Sequence, residues 1–224
     1  MSPAADRAPT ARRLVAIVGV ILLHLAAYLV VTRVNESRPP PALWDPSLPL
    51  DGSIPYLPWT WTWYWAAYPY LTIVAALVLL RLPADGFGRA IVAYVGLTLA
   101  GAAIQVLFPV RAPWPTAPGP MQALMHEAAF TRPFASLPSM HVAYSVFTAS
   151  LGVAAARTRV LKVGHVAVAA LITASTLTLK EHYVLDAVTG TALGLGTMLW
   201  WSRARIPSPR VRPRRVRVTS APRG

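Results

Sequence analysis

The chain contains no cysteine, which removes disulfides, zinc–thiolate sites and thiol nucleophiles together. Lysine is scarce, two residues against nineteen arginines, and there are only eight acidic residues. Charged residues make up 13% of the sequence, where soluble globular domains carry about 25%. With 55% hydrophobic residues and a mean hydropathy of +0.47, this scarcity excludes a disordered chain and argues against an ordinary soluble domain. The charges present are mostly of one sign, giving a net +13. A soluble nucleic-acid binder can be basic, but it does not also carry several apolar runs of near-membrane length. At 224 residues, the chain has room for one small bundle of membrane spans.

A helical span needs about 20 mostly apolar residues to cross roughly 30 Å of hydrocarbon. Six segments come close: 14–32, 63–80, 90–110, 140–156, 163–179 and 183–201. None shows the long period-2 alternation of a barrel strand. The expected fold is therefore all-α, a six-transmembrane-helix bundle over residues 14–201. A cytoplasmic segment 1–13 precedes it and a disordered basic tail 202–224 follows. The first span reads as an uncleaved anchor, because its apolar stretch is longer than a signal h-region and no small-x-small site follows at Val34-Asn35-Glu36. Placing both termini in the cytoplasm puts sixteen of the 21 basic residues inside and six of the eight acidic residues outside, as the positive-inside rule requires.

Two outer loops are long. The first, 35–62, is proline-rich and ends in alternating Trp59, Trp61, Trp63 and Trp65, which read as an interfacial belt. Within the second, 111–139, residues 121–130 read as a short interfacial helix. The Arg- and Pro-rich tail is expected at anionic lipid headgroups, with no nucleic-acid role. Gly190-x-x-x-Gly194 reads as a close helix contact.

In so apolar a chain, ionisable groups near the membrane carry the information. Asp186 opens the sixth span among Val184, Leu185, Ala187 and Val188, where an unpaired carboxylate is costly. His182 lies four residues earlier on the same helical face, within reach of a carboxylate–imidazole hydrogen bond. Alone, this pair is equally well read as a buried tie between helices. His141, at the outer start of the fourth span after Pro138-Ser139-Met140, adds a second imidazole at the same level. Ser139, Arg111, Arg132 and Lys180 share that outer side. One imidazole with a carboxylate makes an activated nucleophile, and the other can protonate a leaving oxygen. The cations and helix N-termini suit a tetrahedral phosphate. A His/His/Asp metal site is the rival, disfavoured because no further ligand stands at suitable spacing, so no metal and no cofactor are expected. Glu181 should point off the His182 face, and Tyr183 should pack beside the site or anchor at the interface. His24 reads as a hydrogen-bonded helix contact, His126 as a surface or interfacial residue, and His165 as remote at the cytoplasmic end of the fifth span.

Leu137-Pro138-Ser139-Met140-His141-Val142-Ala143 resembles the second signature of the type 2 phosphatidic acid phosphatase superfamily. The stretch from Lys180 to Gly190, with His182 followed by Asp186, resembles the third. The Pro-Ser-x-His and His-Tyr-x-x-Asp forms are closest to the branch containing inositol phosphorylceramide synthase and related inositolphosphotransferases, and the resemblance spans roughly residues 64–201. The first signature is absent, with Arg111 as the substitute candidate. Thr176 stands where the third signature usually has arginine, with Lys180 as the candidate compensation. The resemblance implies a phospho-histidine on His182, with Asp186 orienting it, His141 as acid and then base, Ser139 on a phosphate oxygen, and no metal.

The expected activity is cleavage of a phosphoester of a phospholipid or polyprenyl phosphate at the outer membrane face, with water or a lipid or inositol-type alcohol as acceptor. A transporter or channel, or a regulatory membrane subunit with a decayed site, are the alternatives. The Arg, Ala, Val and Pro usage suggests a GC-rich bacterial genome and a plasma-membrane location. Oligomeric state is not legible in the sequence.

Overall fold

A computed structural model of the chain describes residues 10–127 and 133–204. Arg132, the segment 1–9 and the tail beyond 204 lie outside the described residues, as do the last three positions of the expected 121–130 helix. The described residues form helices and turns with no strand, and an isolated bridge joins Trp44 to Val110. Helix α1 covers Thr10–Glu36, and the short α2 covers Pro49–Ser53. Helix α3 (Trp61–Pro69) runs through a π-helical turn, Tyr70–Val74, into α4 (Ala75–Arg81). Then come α5 (Ala84–Leu107), the short α6 (Pro120–Glu127), α7 (Met140–Ala155), α8 (Arg159–Thr178) and α9 (Val184–Arg203). The π turn follows Pro69, whose missing N–H interrupts the helical ladder.

A helix occupies each of the six apolar segments, and four stretches are long and apolar enough to cross a membrane: α1, Pro58–Arg81, α5 and α8. Helix α7 is 16 residues long, short of a full crossing. Helix α9 has 20 residues, but Asp186, three glycines and a Trp pair dilute its apolar character. The bundle is apolar on its outside: Val15, Leu22, Leu29, Ile73, Val163 and Leu199 are all exposed. In the most apolar window of α1 only 11% is buried. Water would not tolerate so broad an apolar surface, and lipid does. The chain is a membrane protein.

Helix α7 is the core of the bundle, with Val142, Phe147 and Leu151 almost wholly buried. It packs on α8 and, most intimately, on α9. A Cβ added at Gly190 would lie 2.5 Å from the Ser139 carbonyl oxygen, and one at Gly194 would lie 2.6 Å from that of Ala143. The two glycines thus bring the backbones of α7 and α9 together, as their spacing predicts. Helix α1 is pinned at both ends. Near its start, buried Arg13 donates to the carbonyls of Leu82 (2.7 Å) and Leu80 (3.3 Å) and sits 4.8 Å over the Phe87 ring. Near its finish, Asn35 Nδ2 donates to the carbonyls of Gln105 (2.9 Å) and Phe134 (2.8 Å). Between these pins α1 leans on α5, and a cavity opens between α1 and the α3–α4 helix.

Candidate active site

The segment leading into α7 has no regular structure, so side chains hold it. Asn35 takes the Phe134 carbonyl, while Gln105 Nε2 donates to the carbonyls of Ala135 (2.9 Å) and Pro138 (3.1 Å). The Leu137–Pro138 bond is cis. Ser139 then caps α7, its Oγ accepting from Val142 N at 3.4 Å. Its own N–H donates to the Asp186 carbonyl at 3.0 Å, tying the two helix starts together. The second site segment, between α8 and α9, turns back through Lys180 at φ 58°. The Thr176 carbonyl accepts from both Glu181 N (3.0 Å) and His182 N (3.1 Å).

Asp186 is fully buried, and its Oδ2 gathers three donors: Ser136 Oγ at 2.5 Å, Tyr183 N at 3.0 Å and His182 Nδ1 at 3.3 Å. Ser136 Oγ also lies 3.1 Å from His182 Nδ1. With the Ser136 proton committed to Asp186, both oxygens facing Nδ1 act as acceptors. The ring therefore turns an Nδ1 N–H towards them, which leaves Nε2 as the nitrogen free of both. His141 stands beside it, ring centroids 6.1 Å apart at 62°. Tyr64 and Tyr68 flank His141 at centroid distances of 4.7 and 6.0 Å. The two imidazoles, the buried carboxylate and Ser136 thus share one end of the bundle, at the N-termini of α7 and α9, where helix dipoles favour an anion.

The other residues named from the sequence are placed as follows. Ser139 is within hydrogen-bond reach of Asp186 through its backbone, but its hydroxyl is buried in the α7 cap. Lys180 Nζ donates to the carbonyls of Asp51 (2.8 Å) and Ile54 (2.6 Å), which fastens the first long loop over the site. The same loop supplies Asp51 Oδ1, which accepts from Val184 N at 2.7 Å and caps α9. Arg111 is exposed at the rim, its charge acting on Tyr183. Among the described residues no group of three His, Cys, Asp or Glu converges as metal ligands.

Two sequence readings change. His126 is not a surface residue. Its Nε2 lies 2.8 Å from Glu181 Oε1, and its ring stacks on Trp114 at 3.5 Å. Glu181 also accepts from Gln122 Nε2 (2.5 Å) and Trp114 Nε1 (2.9 Å). This buried carboxylate latches α6 and the loop before it onto the site segment. Nor is His24 a hydrogen-bonded helix contact, since its ring meets Tyr144 edge-to-face. Ser136 is the residue that sequence reasoning missed; its partners lie 46 and 50 positions away and only the fold brings them together.

A cavity of about 240 Å³ begins at Ser136, His141, Glu181 and His182 and continues down between the helices. Its deeper walls are mostly apolar, reaching Ile17 on α1 and Leu79 on α4. Eleven residues of α1 separate Tyr28 from Ile17 along this wall, a rise of about 16 Å. A polar mouth over a long apolar slot is a shape for an amphiphile.

The chain matches the PAP2 superfamily over residues 52–200, more than half its length. No curated protein and no solved structure matches it. The chain belongs to the PAP2 superfamily, that of the type 2 phosphatidic acid phosphatases, and is a lipid enzyme of the phosphatase or phosphotransferase type.

Proposed function

We propose that this membrane enzyme cleaves a lipid phosphoester through a covalent phospho-histidine on His182. The observation that carries the reading is how that ring is held. Nδ1 is held by Asp186 and Ser136, which leaves Nε2 to act as the nucleophile in a cavity mouth that His141 shares. In the first step Nε2 attacks phosphorus and a P–N bond forms as the bond from phosphorus to the lipid oxygen breaks. His141, protonated at the start, gives its proton to that departing oxygen. The positive charge that develops on His182 is offset by Asp186. In the second step His141 takes a proton from water or an acceptor hydroxyl, the new oxygen attacks phosphorus, and the P–N bond breaks.

Ser139 acts through α7, whose capped N-terminus favours a phosphate oxygen. Arg111 and Arg132 compensate phosphate charge from the rim, and Lys180 adds its field from the loop it fastens. No metal is required in this scheme. The Pro-Ser-x-His and His-Tyr-x-x-Asp forms favour the inositolphosphotransferase-like branch, in which the acceptor is an alcohol; the compact 14–201 unit serves hydrolysis equally well. The six helices would each cross the membrane with both termini in the cytoplasm, placing the site at the outer face of a bacterial plasma membrane and the basic tail at anionic headgroups.

The test is phosphate release by the purified protein from phosphatidic acid, phosphatidylglycerol phosphate, polyprenyl diphosphate and phosphatidylinositol, with EDTA and vanadate arms. Release that resists EDTA, is blocked by vanadate and falls at least 10³-fold in His182→Ala is expected, on the order seen when a covalent nucleophile is removed. Headgroup exchange onto an added alcohol without phosphate release would select the transferase. Undiminished turnover in His182→Ala would overturn the mechanism.

A further inference from the structure

One wall of the cavity lies outside the family match. Helix α1 precedes residue 52 and contributes Ile17, His24 and Tyr28 to the lining. Three polar side chains deeper in the slot are already engaged. The Tyr144 hydroxyl meets Thr98 at 2.5 Å, that of Tyr94 meets Thr148 at 2.7 Å, and the Gln105 amide serves the 135–138 carbonyls. His24 differs. Its ring packs against Tyr144 with centroids 4.8 Å apart at 87°, and neither ring nitrogen has a hydrogen-bond partner among the described residues. Tyr144 follows His141 by three residues along α7, about 4.5 Å further from the helix start, so His24 packs on the slot wall one step below His141. An imidazole facing a lipid-filled slot without a partner is costly, and a bound molecule that supplies the missing hydrogen bond removes that cost.

We propose that His24 hydrogen-bonds an oxygen on the backbone of the substrate lipid, and that the enzyme therefore favours phosphates of glycerol-type lipids over polyprenyl phosphates. This rests on the phosphoryl-transfer reading above. With phosphorus at His182, the ester or hydroxyl oxygens of a glycerol backbone fall a few bonds along the slot, at the depth of His24. A polyprenyl phosphate has only carbon there and leaves the imidazole unpaired. The energetic asymmetry is the useful one, because a site built to hydrogen-bond a substrate discriminates strongly against an analogue that lacks the group. The ring can donate to an ester carbonyl through its N–H, or exchange hydrogen bonds with a hydroxyl.

The experiment measures kcat/KM of the full chain in mixed micelles for phosphatidic acid, lysophosphatidic acid and farnesyl phosphate, in the wild type, His24→Phe and His24→Gln. In His24→Phe the ratio of kcat/KM for phosphatidic acid to that for farnesyl phosphate should fall about tenfold, the worth of one hydrogen bond. His24→Gln, whose amide can still donate, should recover part of it. A fall with phosphatidic acid alone identifies the second ester, which lysophosphatidic acid replaces with a hydroxyl, and a fall with both glycerol lipids identifies an oxygen common to them. An unchanged ratio overturns the proposal, including the case in which all three substrates decline together.

If the wild type turns over none of the lipids, the phosphoryl-transfer reading falls, and binding decides this inference separately. Thermal stabilisation of the His182→Ala protein by phosphatidic acid should then exceed that by farnesyl phosphate, and the difference should vanish in the His182→Ala/His24→Phe protein. Equal stabilisation by the two lipids would overturn it. Should His24→Phe fail to fold, His24→Leu serves in both arms.

Discussion

Asp186 accepts three hydrogen bonds on one oxygen, Oδ2, while Oδ1 is buried with no hydrogen-bond partner among the described residues. That concentration makes Ser136 a positioning residue: its hydroxyl fills the corner between carboxylate and imidazole, and the tautomer of His182 depends on both. Removing it should leave substrate binding nearly unchanged and slow the chemical step. A hydrogen bond to a charged group is worth about 1.5–3 kcal/mol, so kcat of Ser136→Ala should fall roughly 10–100-fold with KM little altered. Because Ser136 and Asp186 act on the same nitrogen, their effects should not add. The double variant Ser136→Ala/Asp186→Asn should be no slower than Asp186→Asn alone. Independent, additive losses would show that Ser136 only supports the loop. The sequence pointed to Ser139, three residues on, because that serine adjoins the proline and histidine of a recognisable pattern. Nothing local marks Ser136, since hydrogen bonding across 50 positions leaves no periodic trace.

At the level of elements, the site depends on α7 and α9 starting side by side. The contact is backbone to backbone, so the obstruction a side chain would meet at Gly190 is the Ser139 carbonyl, which cannot swing aside as a flexible side chain would. Gly190→Ala should therefore destabilise the protein by about 1–3 kcal/mol, the range for an overpacked contact. It should also reduce activity, because the Ser139–Asp186 backbone bond crosses the same seam. Gly196, on the same helix, has nothing within 4 Å of an added Cβ, and Gly196→Ala should be neutral or slightly stabilising. Thermal unfolding of the two variants in one detergent makes the comparison, and equal melting temperatures would deny the close approach its role. This seam was legible from the glycine spacing alone. The α6 latch was not, because Trp114, Gln122, His126 and Glu181 come from separate segments that converge on one buried carboxylate.

The whole molecule was read most easily where composition alone decides. Apolar runs located every long helix, since lipid asks only for a continuous apolar surface, and the resulting bundle is apolar outside. Hydropathy was weakest for α7 and α9, the helices whose N-termini hold the candidate site, because α7 is short and α9 carries Asp186 and three glycines. The cavity between α1 and α3–α4 was invisible, since a lining residue and a lipid-facing residue look alike in a sequence. The charge distribution gives an expected sidedness, and the absence of cysteine makes that expectation directly testable. Ser47 is exposed on the loop that Asp51 and Lys180 fasten to the site, and Ser202 is exposed at the far end of α9. Single Ser47→Cys and Ser202→Cys variants should each carry the only thiol in the protein. A membrane-impermeant maleimide applied to intact cells should label Ser47→Cys at once and Ser202→Cys only after lysis, if the arginine-rich end lies inside. The reverse pattern would turn the site toward the cytoplasm and make its substrate a lipid of the inner leaflet. Labelling of both would place the two ends on one side and overturn the proposal that all six helices cross.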